Sequence, residues 1–171
     1  MWILVPSALI SSGHLPVGEH WKVYLPGIFL SFVAMVPAII AAEKHGKMKL
    51  VFNAAIALLF VVQLGFGLFG ASAFALFFWL MLFFAAFNVL EATQPSLIAR
   101  IAPPHAKGAA LGIYNTTQSL GLFLGGTLGG SLAKHSGTAS VWIACAVLAL
   151  VWLGFGLTMT MPAPRVRQTS A

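Results

Sequence analysis

Five apolar stretches, each about 20 residues long or longer, follow one another along this chain with only short connections between them. An α-helix rises about 1.5 Å per residue, so about 20 apolar residues are needed to cross the hydrocarbon core of a bilayer. The chain is therefore predicted to span a membrane five times. The predicted spans are Val23–Ala42, Leu50–Gly70, Phe74–Ile98, Ala109–Ala133 and Ala139–Met161.

The composition supports the same conclusion. Hydrophobic residues make up 60% of the 171 residues and charged residues only 7%, against about 25% charged residues in an average soluble domain. This scarcity of charge excludes a soluble domain and a disordered chain. The apolar runs are continuous rather than alternating, which argues against an outer-membrane barrel. Because a helix satisfies its own backbone hydrogen bonds in lipid, the predicted fold class is an all-α membrane protein, a polytopic helical bundle.

The two ends of the chain differ from the predicted spans. Trp2–Ile10 is apolar, but nine residues reach only about 14 Å as a helix. This segment is predicted to form the last turns of a partial N-terminal helix. Residues 162–171 contain two prolines and two arginines, and they are predicted to leave the membrane as a disordered tail.

The basic residues predict an orientation. The net charge is +6, but the cations are scattered between apolar runs and form no clustered basic face, so nucleic acid is not a predicted partner. Cytoplasmic loops of membrane proteins carry an excess of Lys and Arg. One predicted side carries Lys44, Lys47, Lys49, Arg100, Lys107, Arg165 and Arg167, and the other carries Lys22 and Lys134. The first side, which includes the C-terminus, is therefore predicted to be cytoplasmic.

Glu91 is the only carboxylate inside a predicted span. Helical spacing of i, i+3 and i+7 places Asn88, Glu91 and Pro95 on one helix face. A charge near mid-membrane costs roughly 3 kcal/mol, which the Leu, Phe and Val residues of the same stretch offset. Two interpretations stay open. Glu91 is either a proton-coupling or substrate-contacting acid that faces an internal cavity, or a structural tie to a cation such as Lys47 or Lys107.

Glycines recur at four-residue spacing in the fourth stretch. Small residues at this spacing let helix backbones approach closely in lipid. They indicate a tight packing seam, a flexible or sliding helix at a gate, or both. The glycines are Gly121, Gly125, Gly126, Gly129 and Gly130. Residues 114–118 of the same stretch form a polar patch that must face protein or water rather than lipid, and lining of a pathway is one interpretation.

Catalytic patterns are missing from the sequence. There is no phosphate-binding loop, dinucleotide fingerprint, nucleophile elbow or zinc-protease motif. One intramembrane acid without a base, nucleophile or metal cluster does not make an active site, so the chain is predicted not to be an enzyme and to need no cofactor. The five histidines fall in loops without metal-ligand spacing. The single cysteine, Cys145, excludes an intrachain disulfide.

Three motifs carry a resemblance to a known family. EKHGKMK at residues 43–49 resembles a D-R-x-G-R-R-x cytoplasmic loop signature, with Glu43 as the acid, Gly46 at the turn and Met48 in place of a basic residue. The basic positions are held by Lys44, Lys47 and Lys49. PPHAKGAALGIYNTTQSLG at residues 103–121 resembles P-x-x-R-G-x-A-x-G, with Lys107 in place of arginine.

The third motif is GLFLGGTLGG at residues 121–130, which resembles G-x-x-x-G-P-x-x-G-G with Gly126 at the proline position. By the order of these motifs, the chain resembles the C-terminal half of a major facilitator superfamily transporter. It is most similar to the YajR-like branch of bacterial drug-efflux transporters. The resemblance covers nearly the whole chain except the tail.

The resemblance implies a fold of two six-helix halves related by pseudo-symmetry, with the substrate path between them. Residues 1–161 are then a partial C-terminal half, the five spans are the family's helices eight to twelve, and the missing N-terminal half is a partner. The complete protein is expected to lie in the bacterial inner membrane. It is expected to move a small amphipathic solute out of the cell by alternating access, driven by proton entry as an antiporter.

Functional residues are predicted from the polar groups inside the spans and from the loop motif. The candidates for cavity-facing groups on the substrate or proton pathway are Asn88, Glu91, Gln94, Asn115 and Gln118. The cytoplasmic loop signature, which is expected to stabilise one conformational state by charge pairing between helices, consists of Glu43, Lys44, Gly46 and Lys47. Half of such a transporter is expected not to transport alone. The alternative is a stand-alone small membrane scaffold or assembly protein without transport activity.

Overall fold

The computed structural model describes residues 17–19, 21–69 and 72–160. Five α-helices make up most of this part of the chain: α1 (Trp21–Glu43), α2 (Met48–Phe69), α3 (Ala73–Ile101), α4 (Lys107–Ser136) and α5 (Thr138–Thr158). Single 3-10 turns at Val17–Glu19 and Pro104–Ala106 precede α1 and α4, and the described residues contain no strand. The predicted partial helix at Trp2–Ile10 and the predicted tail at residues 162–171 lie outside the described residues.

The helices begin and end where local chemistry requires it. Gly46 between α1 and α2 has φ of 65°, and Gly137 between α4 and α5 has φ of 80°, a region that favours glycine. The side chain of Ser72 caps α3 by accepting a hydrogen bond from the backbone N–H of Ala75 at 3.2 Å. Ala102 ends α3 in an extended conformation, because the prolines that follow disfavour further helix.

Four of the five helices, α1, α2, α3 and α5, are long and apolar enough to cross a membrane. The fifth helix, α4, has 30 residues and a length of about 45 Å, but it is not among the helices that meet the criterion of apolarity. Its seven glycines and the polar patch at residues 114–118 dilute its hydrophobic character. The all-helical prediction is confirmed and four candidate spans are found, whereas membrane crossing by α4 stays a prediction.

The helix α2 holds the bundle together. It packs against α3 and α5, while α1 packs mainly against α3. Buried residues of one cluster near the α1–α2 turn include Met48, Phe52 and Ile56, and a second cluster along the other half of α2 includes Val62 and Phe66. The rings of Phe66 and Trp142 stack with their centroids 4.8 Å apart, which joins α2 to α5.

The helix α4 lies at the edge of this bundle. It contacts α3 and α5, yet it contributes no buried residue. Its large apolar side chains point outward, and Leu122 and Phe123 are each 69% exposed. Such exposure suits side chains that face lipid or a further protein segment rather than water. Two side-chain hydrogen bonds join α4 to α3, whereas its contact with α5 is apolar.

Candidate functional site

Two hydrogen bonds join α3 to α4 at the level of the intramembrane acid. The Nε2 of Gln118 donates to Oε1 of Glu91 at 2.5 Å. The hydroxyl of Tyr114 donates to Oε1 of Gln94 at 2.7 Å. Residues three or four positions apart share a helix face. Glu91 and Gln94 therefore both face α4, and Tyr114 and Gln118 both face α3. These four side chains form what we call the α3–α4 polar contact.

The electrostatics of the polar contact rest on one carboxylate. Glu91 is half-buried, and within the described part of the chain no cation forms an ion pair with it. In particular, the tie to Lys47 or Lys107 that the sequence left open does not form. An amide therefore holds the carboxylate in place of a counter-ion.

Two of the predicted pathway residues lie away from the α3–α4 polar contact. Asn88 faces α1, where its Nδ2 donates to Oγ of Ser31 at 2.8 Å, and Ser31 is fully buried and donates to the backbone oxygen of Ile28. Asn115 is exposed, because one helical residue corresponds to a rotation of about 100° away from the face that Tyr114 and Gln118 share.

Neither Tyr114, a member of the predicted polar patch, nor Ser31 is among the predicted pathway residues. The four-residue spacing between Tyr114 and Gln118 is a signal that could have indicated a shared face. No comparable signal marks Ser31, because its partner Asn88 is 57 residues away in the sequence. Only packing of α1 against α3 brings these two side chains together.

The predicted loop signature includes Glu43, which belongs to a cluster that joins α1 to α3. Glu43 accepts a hydrogen bond from Oγ of Ser96 at 2.7 Å and forms an ion pair with Arg100. Gly46 provides the positive φ of the turn, and the backbone N–H of Lys47 donates to the carbonyl oxygen of Ala41 at 3.2 Å. Lys44 and Lys47 are exposed.

The Glu43–Arg100 pair is expected to contribute little to stability. The two side chains are 37% and 40% exposed, and solvent screening limits exposed ion pairs to roughly 1 kcal/mol or less. A double-mutant cycle with Glu43→Gln and Arg100→Gln should therefore give a coupling energy below about 1 kcal/mol that falls as salt is added. The exposed pair of Glu19 and Lys22 is the control. A larger, salt-insensitive coupling would contradict this expectation.

The predicted packing glycines face open space in the described structure. A Cβ placed on Gly121, Gly125, Gly126 or Gly130 would meet no atom within 4 Å, and one on Gly129 would lie 4.0 Å from Cγ1 of Val141. The described bundle therefore supplies no close backbone partner for this glycine face. A packing seam against another helix stays a prediction.

The described residues hold no cluster of metal-ligating side chains. No group of three or more His, Cys, Asp or Glu side chains converges there. Cys145 is a free, half-buried thiol on α5. The α3–α4 polar contact holds one carboxyl group, two amides and a phenol as hydrogen-bonding groups.

Comparison with known proteins agrees with this picture of a membrane helix bundle. YajR, an inner membrane transport protein of Escherichia coli (strain K12), is 40% identical over 161 residues, which cover 94% of this chain and 35% of YajR. An uncharacterized transporter of Buchnera aphidicola subsp. Baizongia pistaciae is 35% identical over 97 residues, 56% of this chain and 25% of that protein. The chain thus spans about a third of the length of YajR. No solved structure matches it significantly.

The sequence profile of the Major Facilitator Superfamily matches residues 6–171. That range contains the α3–α4 polar contact, the loop signature and all five described helices. Because the match covers nearly the whole chain, this protein belongs to the Major Facilitator Superfamily, a family of membrane transporters rather than of enzymes.

Proposed function

We propose that this chain is the C-terminal segment of a proton-driven secondary transporter that exports a small amphipathic solute by alternating access. The observation that carries the proposal is the hydrogen bond between Gln118 and Glu91. It places an acid between two helices of a protein that belongs to a transporter family. The N-terminal half of the transporter is the proposed partner, because two bundles must move about a central site for alternating access. The bacterial inner membrane is the proposed location, as for YajR.

Glu91 is the proposed proton carrier. A lone carboxylate within a membrane helix costs roughly 3 kcal/mol, and among the described spanning helices no other acid lies away from a helix end. The amide of Gln118 can donate to the ionised carboxylate, and after rotation its oxygen can accept from the protonated carboxyl group. The α3–α4 polar contact can therefore persist while a proton is bound and released.

The neighbouring polar side chains are proposed to line the solute path. Gln94 and Tyr114 lie next to the acid in the α3–α4 polar contact, while Asn88 and Asn115 would reach the path only from other faces of their helices. At the cytoplasmic end, Glu43 is proposed to stabilise one conformational state through Ser96 and Arg100, since breaking this cluster would accompany movement of α1 relative to α3.

The proposed function is tested by measuring proton movement in vesicles. The complete transporter that contains this chain should acidify or alkalinise vesicles when solute is added, and a protonophore should abolish this response. The 171-residue chain alone should give no flux, because it lacks the second bundle. Protonophore-sensitive uptake by the chain alone would contradict the proposal that transport needs both bundles. If the complete protein gives no flux and this chain forms a stable complex with an unrelated protein, the alternative role as a membrane scaffold is favoured.

The proposed orientation is tested by cysteine labelling. In a Cys145→Ser background, cysteines at His45 and His105 should react with a membrane-impermeant maleimide only from the cytoplasmic side, because α2 and α3 both cross the membrane between them. A cysteine at Ser136 should react only from the opposite side. Labelling of Ser136 from the cytoplasmic side would show that α4 does not cross the membrane.

A further inference from the structure

A cavity of about 440 Å³ lies between α2, α4 and α5. On α4 it begins at Gly121, three residues after Gln118, and continues past Gly125 on the same face. Small-molecule sites in proteins usually enclose about 300–1,000 Å³, so this cavity has a suitable size. Neither Glu91 nor Gln94 lines it. It is therefore separate from the α3–α4 polar contact.

The wall of the cavity is uncharged. No charged side chain is present among the described residues that line it, and most of these are apolar, including Trp142 and Leu148. The polar side-chain groups of the lining residues are the amide of Gln63, the thiol of Cys145 and the indole N–H of Trp142. A charged molecule would lose its hydration here without gaining a counter-ion. The chemistry of the wall thus favours an uncharged, largely apolar occupant.

Gln63 supplies a polar group without a partner in the described bundle. Its Oε1 is buried and accepts no hydrogen bond from the described residues. A buried amide oxygen that lacks a partner is unfavourable, and rotation about the terminal bond exchanges the amide oxygen and nitrogen with little change of shape. A hydroxyl group can both donate and accept, so it can complement this amide in either orientation.

We propose that this cavity binds an uncharged lipophilic molecule with a hydroxyl group, which pairs with the Gln63 amide while the apolar part lies between α4 and α5. Access is from the lipid phase, because α4 contributes no buried residue and lies at the edge of the bundle. A Cβ on Gly125 would meet nothing within 4 Å, so the absence of side chains along α4 keeps the space open. The proposal does not depend on the transport role of Glu91.

The test uses Cys145, the single cysteine of the chain, as a reporter. The 171-residue chain in lipid nanodiscs is alkylated with N-ethylmaleimide in the presence of 4-hydroxybiphenyl or of 4-methylbiphenyl, which has nearly the same shape but no hydroxyl group. We expect 4-hydroxybiphenyl to slow alkylation. The methyl compound should need a concentration about fivefold higher for the same protection, the ratio expected for loss of one hydrogen bond.

Three variants assign the effect to the cavity. Gln63→Leu should remove the difference between the two compounds. Gly125→Leu should fill the cavity, slow alkylation to the protected rate and remove any further effect of either compound. Gly112→Leu is the matched control, because Gly112 also lies on α4 in open space but does not line the cavity. This control should behave like the unchanged chain.

Three results would overturn the proposal. Equal protection by the two biphenyls would show a purely apolar site that suits an acyl chain. Unchanged alkylation and protection in Gly125→Leu would place the bound molecule elsewhere. If neither compound slows alkylation of Cys145 at any concentration, neither molecule lies beside this thiol, and the cavity does not bind them.

Discussion

Replacing Gly65 with alanine is expected to lower the free energy of unfolding by about 2 kcal/mol, within the range for overpacked sites. Gly65 is a buried residue of α2, and a Cβ at this position would overlap the six-membered ring of Trp79 on α3. An indole is rigid and cannot yield by bending. The bundle must therefore separate α2 from α3, although alanine favours a helix by about 1 kcal/mol over glycine.

Gly67→Ala is the matched control, because it lies on the same helix two residues away. Its added Cβ would lie 3.5 Å from Cβ of Trp142, an ordinary contact, so this variant should be neutral or stabilised by up to about 1 kcal/mol. Both variants are measured by unfolding in mixed detergent and dodecyl sulfate micelles. A Trp79→Leu change should restore part of the loss in Gly65→Ala. Equal stability of the two alanine variants would refute the close packing of α2 on α3.

Glu91→Gln in the complete transporter is expected to reduce proton-linked flux to the background of protein-free vesicles. The substituted amide is almost the same size and can still hydrogen-bond to Gln118, so the α3–α4 polar contact and the amount of protein in the membrane should be retained. What disappears is the group that binds a proton. The measurement is solute-driven pH change in vesicles, with protein abundance determined in parallel.

Two further variants separate proton coupling from structure. Glu19→Gln removes an exposed carboxylate next to Lys22, and flux should be unchanged. Gln118→Leu leaves the half-buried carboxylate of Glu91 without its amide, which should weaken the association of α3 with α4 by about 1–3 kcal/mol. Full transport by Glu91→Gln would rule out a proton-carrying role, whereas loss of abundance would show that the carboxylate is structural.

The helix ends illustrate what could be read from the sequence. The predicted span at Leu50–Gly70 corresponds to α2 at Met48–Phe69, and the predicted span at Phe74–Ile98 corresponds to α3 at Ala73–Ile101. These boundaries depend on apolar length and on glycine, proline and charged residues nearby, which are local properties. The same properties also predict that α4 is a span, although it does not meet the criterion of apolarity that the other four helices meet.

The hydrogen-bonding partners of the polar side chains could not be predicted from local sequence properties. Asn88 and Glu91 share one helix, yet Asn88 binds Ser31 of α1 and Glu91 binds Gln118 of α4. Their spacing of about one helical turn predicts that the two side chains point in similar directions. However, α1 and α4 pack against adjacent parts of this face of α3. Periodicity along one helix does not specify which helix approaches from which side.

The sequence by itself determined that the chain forms apolar helices, where they begin and end, and that a lone acid lies within one of them, because each follows from the local cost of placing polar groups in lipid. Only the tertiary structure decided that Gln118 holds this acid, that the glycine face of α4 opens on a cavity and that Gly65 lies beneath an indole. These are contacts between segments distant in sequence, and shape and packing select them among many helix arrangements of similar hydrophobicity.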